Sequence, residues 1–487
     1  MSKRRPNIIL IQSDSMDGRA YGAMGLEALR DATPNLDGMA KDGTLFEYCY
    51  TNNPICVCSR ASMWSGQYTF KCHGWNNYKG LPANTTTFLT ELTQAGYTSG
   101  VYGKTDYVSG KHSMRARATA WLRSANIERP AYQQPAPQVV ETQERRVHLR
   151  DWDTVDRSVA FLNAHREDET PFFLYVGLTS PHPKFMTSRY YLDRVDQDAV
   201  QLPPQKESEH PVMDFMRRCK NWTHGLQDDQ VRLTRSIYYA MIAEVDEMVG
   251  EVLRAAQGLE HTYILYCSDH GEMNMEHGQY YKMNAYEPSA RVPFLAMGPD
   301  VQAGRRVSHL ISLVDVYPTL MDLAGISSRK KCLHGASLLP VLRGGEDTRE
   351  NIAFCEYEDS AACTGIYMLR QDQYKYIAYP GYVPQLFDLT ADPWEIDNLA
   401  EKMPEKCAQM DARLRKIVDY EAFDARVKEH DKDCFRLWRD EQLASGAYRA
   451  HMAEIFSSGE NVKPDQIRPW TDQEEEAVLA WLEQDID

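Results

Sequence analysis

Asn7-Ile8-Ile9-Leu10-Ile11 is a short apolar run that stops at the polar cluster Gln12-Ser13-Asp14-Ser15. The pattern recurs where Phe172–Val176 precedes Ser180-Pro181-His182-Pro183, and where Tyr263–Cys267 precedes Ser268-Asp269-His270. Apolar runs of this length, without alternation, read as strands buried on both faces. Between them, Ile237, Met241, Val245, Met248 and Val252 fall at helical spacing within 231–256, and 314–323 predicts a second helix. Strands alternating with helices imply an α/β fold, a mostly parallel sheet flanked by helices. Such sheets bind ligands at the carboxyl ends of their strands, so the three polar clusters should meet at one site.

Working outward, the texture changes near Phe354. The stretch 356–379, rich in Tyr and Ile, predicts antiparallel strands, and charged helical segments follow. Thr471 and Glu474 have capping-box spacing at a helix start. We therefore expect a catalytic α/β domain over residues 1–350. Residues 351–487 should form a C-terminal subdomain with a small antiparallel sheet and a helical tail.

The chain has 487 residues, 43% of them hydrophobic, enough for a large core. Its net charge of −16 argues against nucleic acid and anionic membranes as partners. An anionic substrate would then need a local cationic pocket. The first apolar run falls short of the roughly 7–15 residues of a secretory segment. No run reaches the roughly 18 of a membrane span. Eleven scattered cysteines fit a reducing compartment better than a disulfide framework. The chain as given is expected in the cytoplasm.

Asp14 and Asp269 follow strands, where carboxylates suit a hard cation such as Ca²⁺ or Mg²⁺. Aspartates also cap loops at such places. The segment Asn53-Pro54-Ile55-Cys56-Val57-Cys58-Ser59-Arg60-Ala61-Ser62-Met63-Trp64-Ser65-Gly66 holds a Cys-x-Cys. On its own that reads as a buried reduced pair or a thiolate metal site. The whole segment, however, resembles the signature of the type I sulfatases, Cys-x-Pro-Ser-Arg followed by a small-residue turn and Gly. Cys58 stands in the proline's place. Further segments resemble the same family: Thr33-Pro34-Asn35-Leu36-Asp37, Arg291-Val292-Pro293, Asp315-Val316-Tyr317-Pro318-Thr319-Leu320, and Phe387-Asp388-Leu389 with Asp392-Pro393.

The resemblance implies an alkaline-phosphatase-like sulfatase fold. It implies that a formylglycine-generating enzyme oxidises Cys56 to formylglycine, whose hydrated aldehyde attacks sulfur in a sulfated saccharide. Arg60 would hold the diol and Ser59 would orient the loop. The metal ligands would be Asp14, Asp269, His270 and modified Cys56. Ser15 occupies the place of a second aspartate, and Asp17 is available as its substitute. Lys104, His182 and Lys282 match the family's cations, which steady charge developing on the sulfate oxygens. His182 or Lys282 would protonate the leaving sugar oxygen. In Gly103-Lys104-Thr105-Asp106, Asp106 replaces a family histidine, and His112 is the candidate for its role as base.

Ser13-Asp14-Ser15-Met16-Asp17-Gly18-Arg19, Trp75-Asn76-Asn77-Tyr78-Lys79-Gly80 and Ser268-Asp269-His270-Gly271-Glu272 are similar to the arylsulfatase K branch of the family. That similarity implies a 2-O-sulfated uronic acid of glycosaminoglycan fragments as substrate. Lys79, Lys111, His112 and Lys184 become candidate carboxylate partners. Two alternatives stay open: a phosphodiesterase or phosphonate monoester hydrolase on the same fold, and a non-catalytic sulfoglycan-binding relative. The charged helices after residue 400 could serve a subunit contact.

Overall fold

The computed structural model describes residues 4–108, 113–127, 137–206, 208, 210–220, 226–457 and 467–484. Ten strands lie in the first three-quarters of the chain: β1 (Asn7–Ser13), β2 (Thr44–Tyr50), β3 (Thr98–Gly103), β4 (Gln138–Val140), β5 (Phe172–Gly177), β6 (Met186–Ser188), β7 (Thr262–Ser268), β8 (Arg291–Met297), β9 (Arg305–Val307) and β10 (Ile311–Ser312). Four more follow: β11 (Ile352–Tyr357), β12 (Ile366–Gln371), β13 (Tyr374–Ala378) and β14 (Gln385–Asp388).

The large sheet runs β10-β2-β8-β7-β1-β5-β3, with β9 added beside β2. Its centre is parallel, β7-β1-β5-β3, and β8 runs antiparallel to both of its neighbours. This is the mixed, mostly parallel sheet of the α/β expectation. Side chains alternate across it. Ile9, Ile11, Leu174 and Val176 enter the core beneath the helices Leu149–Ala164 and Asp228–Ala256. Ile8, Leu10, Phe173 and Tyr175 enter the opposite core, with Trp64, Phe88 and Leu320. Each fully buried aliphatic side chain contributes roughly 1.5–3 kcal/mol. Burial on both faces is why these strands read as continuous apolar runs.

The second sheet, β11-β12-β13-β14, is wholly antiparallel. One face packs on the helices Pro404–Ile417 and Tyr420–Ala444 through Phe354, Leu369, Leu414 and Phe423. A separate cluster of Trp121, Phe435, Trp438, Trp470 and Trp481 closes the C-terminal helices. The predicted capping box is present, Thr471 accepting from the Glu474 amide at the start of Asp472–Glu483. No helix among the described residues is long and apolar enough to cross a membrane.

Candidate active site

β1 and β7 are parallel neighbours with Ser13 opposite Ser268, so Asp14 and Asp269 leave the sheet side by side. β5 delivers the third cluster, where the Asp14 amide donates to the Ser180 carbonyl at 3.3 Å. β3 delivers Lys104, whose amide donates to the Gly177 carbonyl at 2.8 Å. A Cβ at Gly103, where φ is +79°, would collide with that carbonyl, so glycine permits the approach.

Arg60 is fully buried and ties the four strand ends together. Its Nε donates to Asp269 at 2.8 Å, and its Nη2 lies 3.4 Å from Asp14. Nη1 donates to the Tyr175 hydroxyl at 2.7 Å, the Lys104 carbonyl at 2.9 Å and Gln12 Oε1 at 3.2 Å. Lys104 forms a second ion pair with Asp14. Buried carboxylates without such partners would be costly. Burial pushes the Asp14 carboxyl up, but the Lys104 ammonium and the Arg60 guanidinium beside it hold it well below the usual range.

Cys56 is the first residue of the helix Cys56–Ser65. Its Sγ lies 3.2 Å from His270 Nε2 and 3.8 Å from Asp14 Oδ1. Sγ marks where the oxygen atoms of a modified side chain would project. Ligand atoms of Asp14, Cys56, Asp269 and His270 all lie within 4.8 Å of one another, and all four residues are buried. His270 Nδ1 lies 3.0 Å from the Gly271 carbonyl. A carbonyl accepts only, so Nδ1 carries a proton, and Nε2 faces the cluster, where a bound divalent cation would take its lone pair. Two carboxylates and a neutral imidazole nitrogen are a fitting donor set for a divalent metal. Ser15, at φ +66°, donates its hydroxyl to Asp14 at 3.3 Å and its amide to Asp269 at 3.3 Å, orienting both. Asp17 faces away and binds Arg19 at 2.7 Å, so it does not replace a second aspartate.

Lys282 Nζ lies 2.7 Å from His182 Nε2, and His182 Nδ1 lies 2.6 Å from the Pro183 carbonyl. The Pro183 carbonyl accepts from His182 Nδ1, and Nε2 accepts from the Lys282 ammonium. The loop carrying Lys282 has positive φ at Tyr281 (+70°) and Met283 (+91°). Buried Glu272 braces it by accepting the Tyr281 amide. Sequence reasoning missed that brace, the Gln12–Tyr175 cage around Arg60, and Asn77, which accepts the Val57 amide at 3.2 Å. Lys79 sits beside His430, 3.1 Å away, and Lys184 is exposed. Lys111 and His112 lie outside the described residues.

The Sulfatase family profile matches residues 6–326, the span that supplies every site residue described above. The chain belongs to the sulfatase family. A profile for the N-sulphoglucosamine sulphohydrolase C-terminal region matches residues 275–420. The sulfatase is 39% identical to Arylsulfatase K of Bos taurus over 465 residues, 89% of this chain and 85% of that one. It is 38% identical to Arylsulfatase K of Homo sapiens over 467 residues, 90% and 86% of the two chains. It is therefore a hydrolase of sulfuric esters. Its fold is shared with the phosphonate monoester hydrolase of Agrobacterium radiobacter (TM-score 0.69, 24% identity, 85% of this chain and 96% of that chain). A 2-O GAG sulfatase shares it too (TM-score 0.67, 24% identity, 89% and 94%).

Proposed function

We propose that this sulfatase removes a 2-O-sulfate from a uronic acid of glycosaminoglycan fragments, using formylglycine derived from Cys56 and one divalent metal ion. The observation that carries the reading is the setting of Cys56. It opens a helix, in contact with Asp14 and His270, where Lys104 and Lys282 supply positive charge. Identity of 38–40% to Arylsulfatase K across most of the chain supports the substrate class.

Asp14, Asp269 and His270 would hold the metal, with Ca²⁺ the first choice and Mg²⁺ an alternative. When bound, the metal supplies Lewis-acid charge beside the sulfate, and formylglycine supplies the attacking oxygen. The chain's own residues do the rest. Arg60 and Ser15 fix the two aspartates. Lys104 places a fixed cation where the sulfate oxygens gain charge. Lys282 carries the proton that the leaving sugar oxygen needs. His182, accepting from Lys282, orients the ammonium rather than donating.

Maturation requires a formylglycine-generating enzyme acting on Cys56. Mass spectrometry of the Cys56 peptide, from protein made together with that enzyme, should show –CHO in place of –CH₂SH. The matured protein should release sulfate from a 2-O-sulfated uronate disaccharide faster than from a 6-O-sulfated glucosamine. A preference for a phosphonate monoester over every sulfate ester tried would overturn the reading. So would an unmodified thiol in every molecule combined with sugar binding and no turnover.

A further inference from the structure

A surface beside the catalytic helix gathers positive charge in a protein whose net charge is −16. Lys71 lies in the last turn of the short helix Thr69–Cys72, His73 follows the helix, and Lys79 lies in the next loop. Arg426 comes from the helix Tyr420–Ala444. Three of them surround Trp75, and Lys71 lies over the neighbouring Phe70 ring, 5.4 Å from its centroid. Lys79 Nζ lies 3.5 Å from the Trp75 ring centroid, the Arg426 guanidinium 5.8 Å and the His73 ring 5.9 Å. Lys71, His73 and Arg426 are exposed.

The charges act on one another. Burial comes first for His73, and then Arg426, Lys79 and Lys71 pull it further below its ordinary value. Burial, opposed by Cys434 and Asp431 and aided by Arg426, brings Lys79 down to about 8. Nearby acids are engaged elsewhere: Asp424 pairs with Arg123 and Lys428, and Asp431 with Arg123 and His430. Among the described residues, Lys71, His73, Lys79 and Arg426 form no ion pair with a carboxylate. Lys71, Lys79 and Arg426 are thus like charges held close together, with the His73 ring among them; such crowding weakens a fold, and such exceptions mark functional surfaces.

The patch also adjoins the active site. The loop that carries Lys79 carries Asn77, which holds the Val57 amide next to Cys56. One residue, Tyr78, separates Lys79 from Asn77, a reach of at most about 7 Å over two steps of chain.

We propose that Lys71, His73, Lys79 and Arg426 form an anion-binding surface that holds a sulfated or carboxylated sugar unit of the glycan away from the ester being cleaved. The proposal rests on the reading of a sulfated glycan as substrate. It makes the enzyme favour chains that span both places over a lone sulfate ester.

The test is the double variant Lys71→Glu with Arg426→Glu, changing two exposed side chains outside the catalytic cluster. Turnover of a small aryl sulfate should stay as in the parent, which also reports an intact fold. On a sulfated octasaccharide the KM should rise at least tenfold while kcat holds. Unchanged KM on the octasaccharide overturns the proposal. If neither protein cleaves any glycan but both cleave the aryl sulfate, the substrate reading fails on its own. Calorimetric binding of the octasaccharide to a Cys56→Ala background then decides the surface. Binding lost on charge reversal upholds it, and no binding, or binding that charge reversal leaves unchanged, overturns it.

Discussion

Cys56 and Cys58 share the first turn of one helix, yet they meet opposite surroundings. At Cys56, burial and Asp14 push the thiol up, but Lys104 and Lys282 hold it well below the ordinary value. At Cys58, burial pushes the thiol up, and Asp359, Glu358, Cys72 and Glu356 push it further. One side of the turn faces the cations at the ends of the parallel strands. The other faces three buried acids in and just after β11. Reactivity in a Cys-x-Cys is thus decided by which sheet each side chain faces, not by the motif.

The largest effect should come from removing the thiol on the cationic side. Cys56→Ala should cost turnover at least about a thousandfold. Cys58→Ala, swapping one small buried apolar side chain for another, should leave turnover within a few-fold. In protein made without maturation, a small alkylating agent should label Cys56 well before Cys58, since the thiolate is the reactive form. Equal labelling would break the comparison.

The acidic side can be probed by pH. Burial raises Glu356 from its ordinary 4.5 to about 7. Between those values the folded protein holds a proton that the unfolded chain has released. The proton's contribution is complete below about 4.5 and is lost as pH rises toward 7. Glu356→Gln keeps an oxygen to accept the Phe70 amide, now bonded at 3.0 Å. It should flatten the fall of Tm across that window. An unchanged slope would mean that Glu356 is ionised in the folded protein across that window.

The two sides were not equally legible. β1, β5 and β7 read clearly because both faces are buried, and their polar ends named Asp14, His182 and Asp269. β3 offered no such run, being half exposed, so Lys104 rested on resemblance alone. The cage around Arg60 was hidden because Tyr175 and Gln12 look like ordinary strand residues. Glu356, Glu358 and Asp359 reach Cys58 from some 300 positions away, and no spacing rule reports a contact between two sheets. Lys79 was placed near substrate by resemblance, and in the structure its ammonium lies over Trp75 and beside His430.

The smallest effect concerns the departure from the family signature itself. The first backbone bond of the helix runs from the Ser59 amide to the Ile55 carbonyl, at 2.9 Å. The Cys58 amide therefore precedes the ladder and is one of those a helix start leaves without a partner. Proline there removes no helical hydrogen bond, and its fixed φ suits the first turn. Cys58→Pro should shift stability by no more than about 1 kcal/mol, read as a small change in Tm. Because the thiol it deletes is the unreactive one, turnover of fully matured protein should not change. On the proposed maturation, the fraction of Cys56 converted to formylglycine is the sensitive readout, since position 58 lies two residues from the one to be modified. A rise in that fraction at constant Tm would assign the cost of Cys58 to maturation, while a fall in Tm of many degrees would show that Cys58 packs against β11 in a way the fold requires.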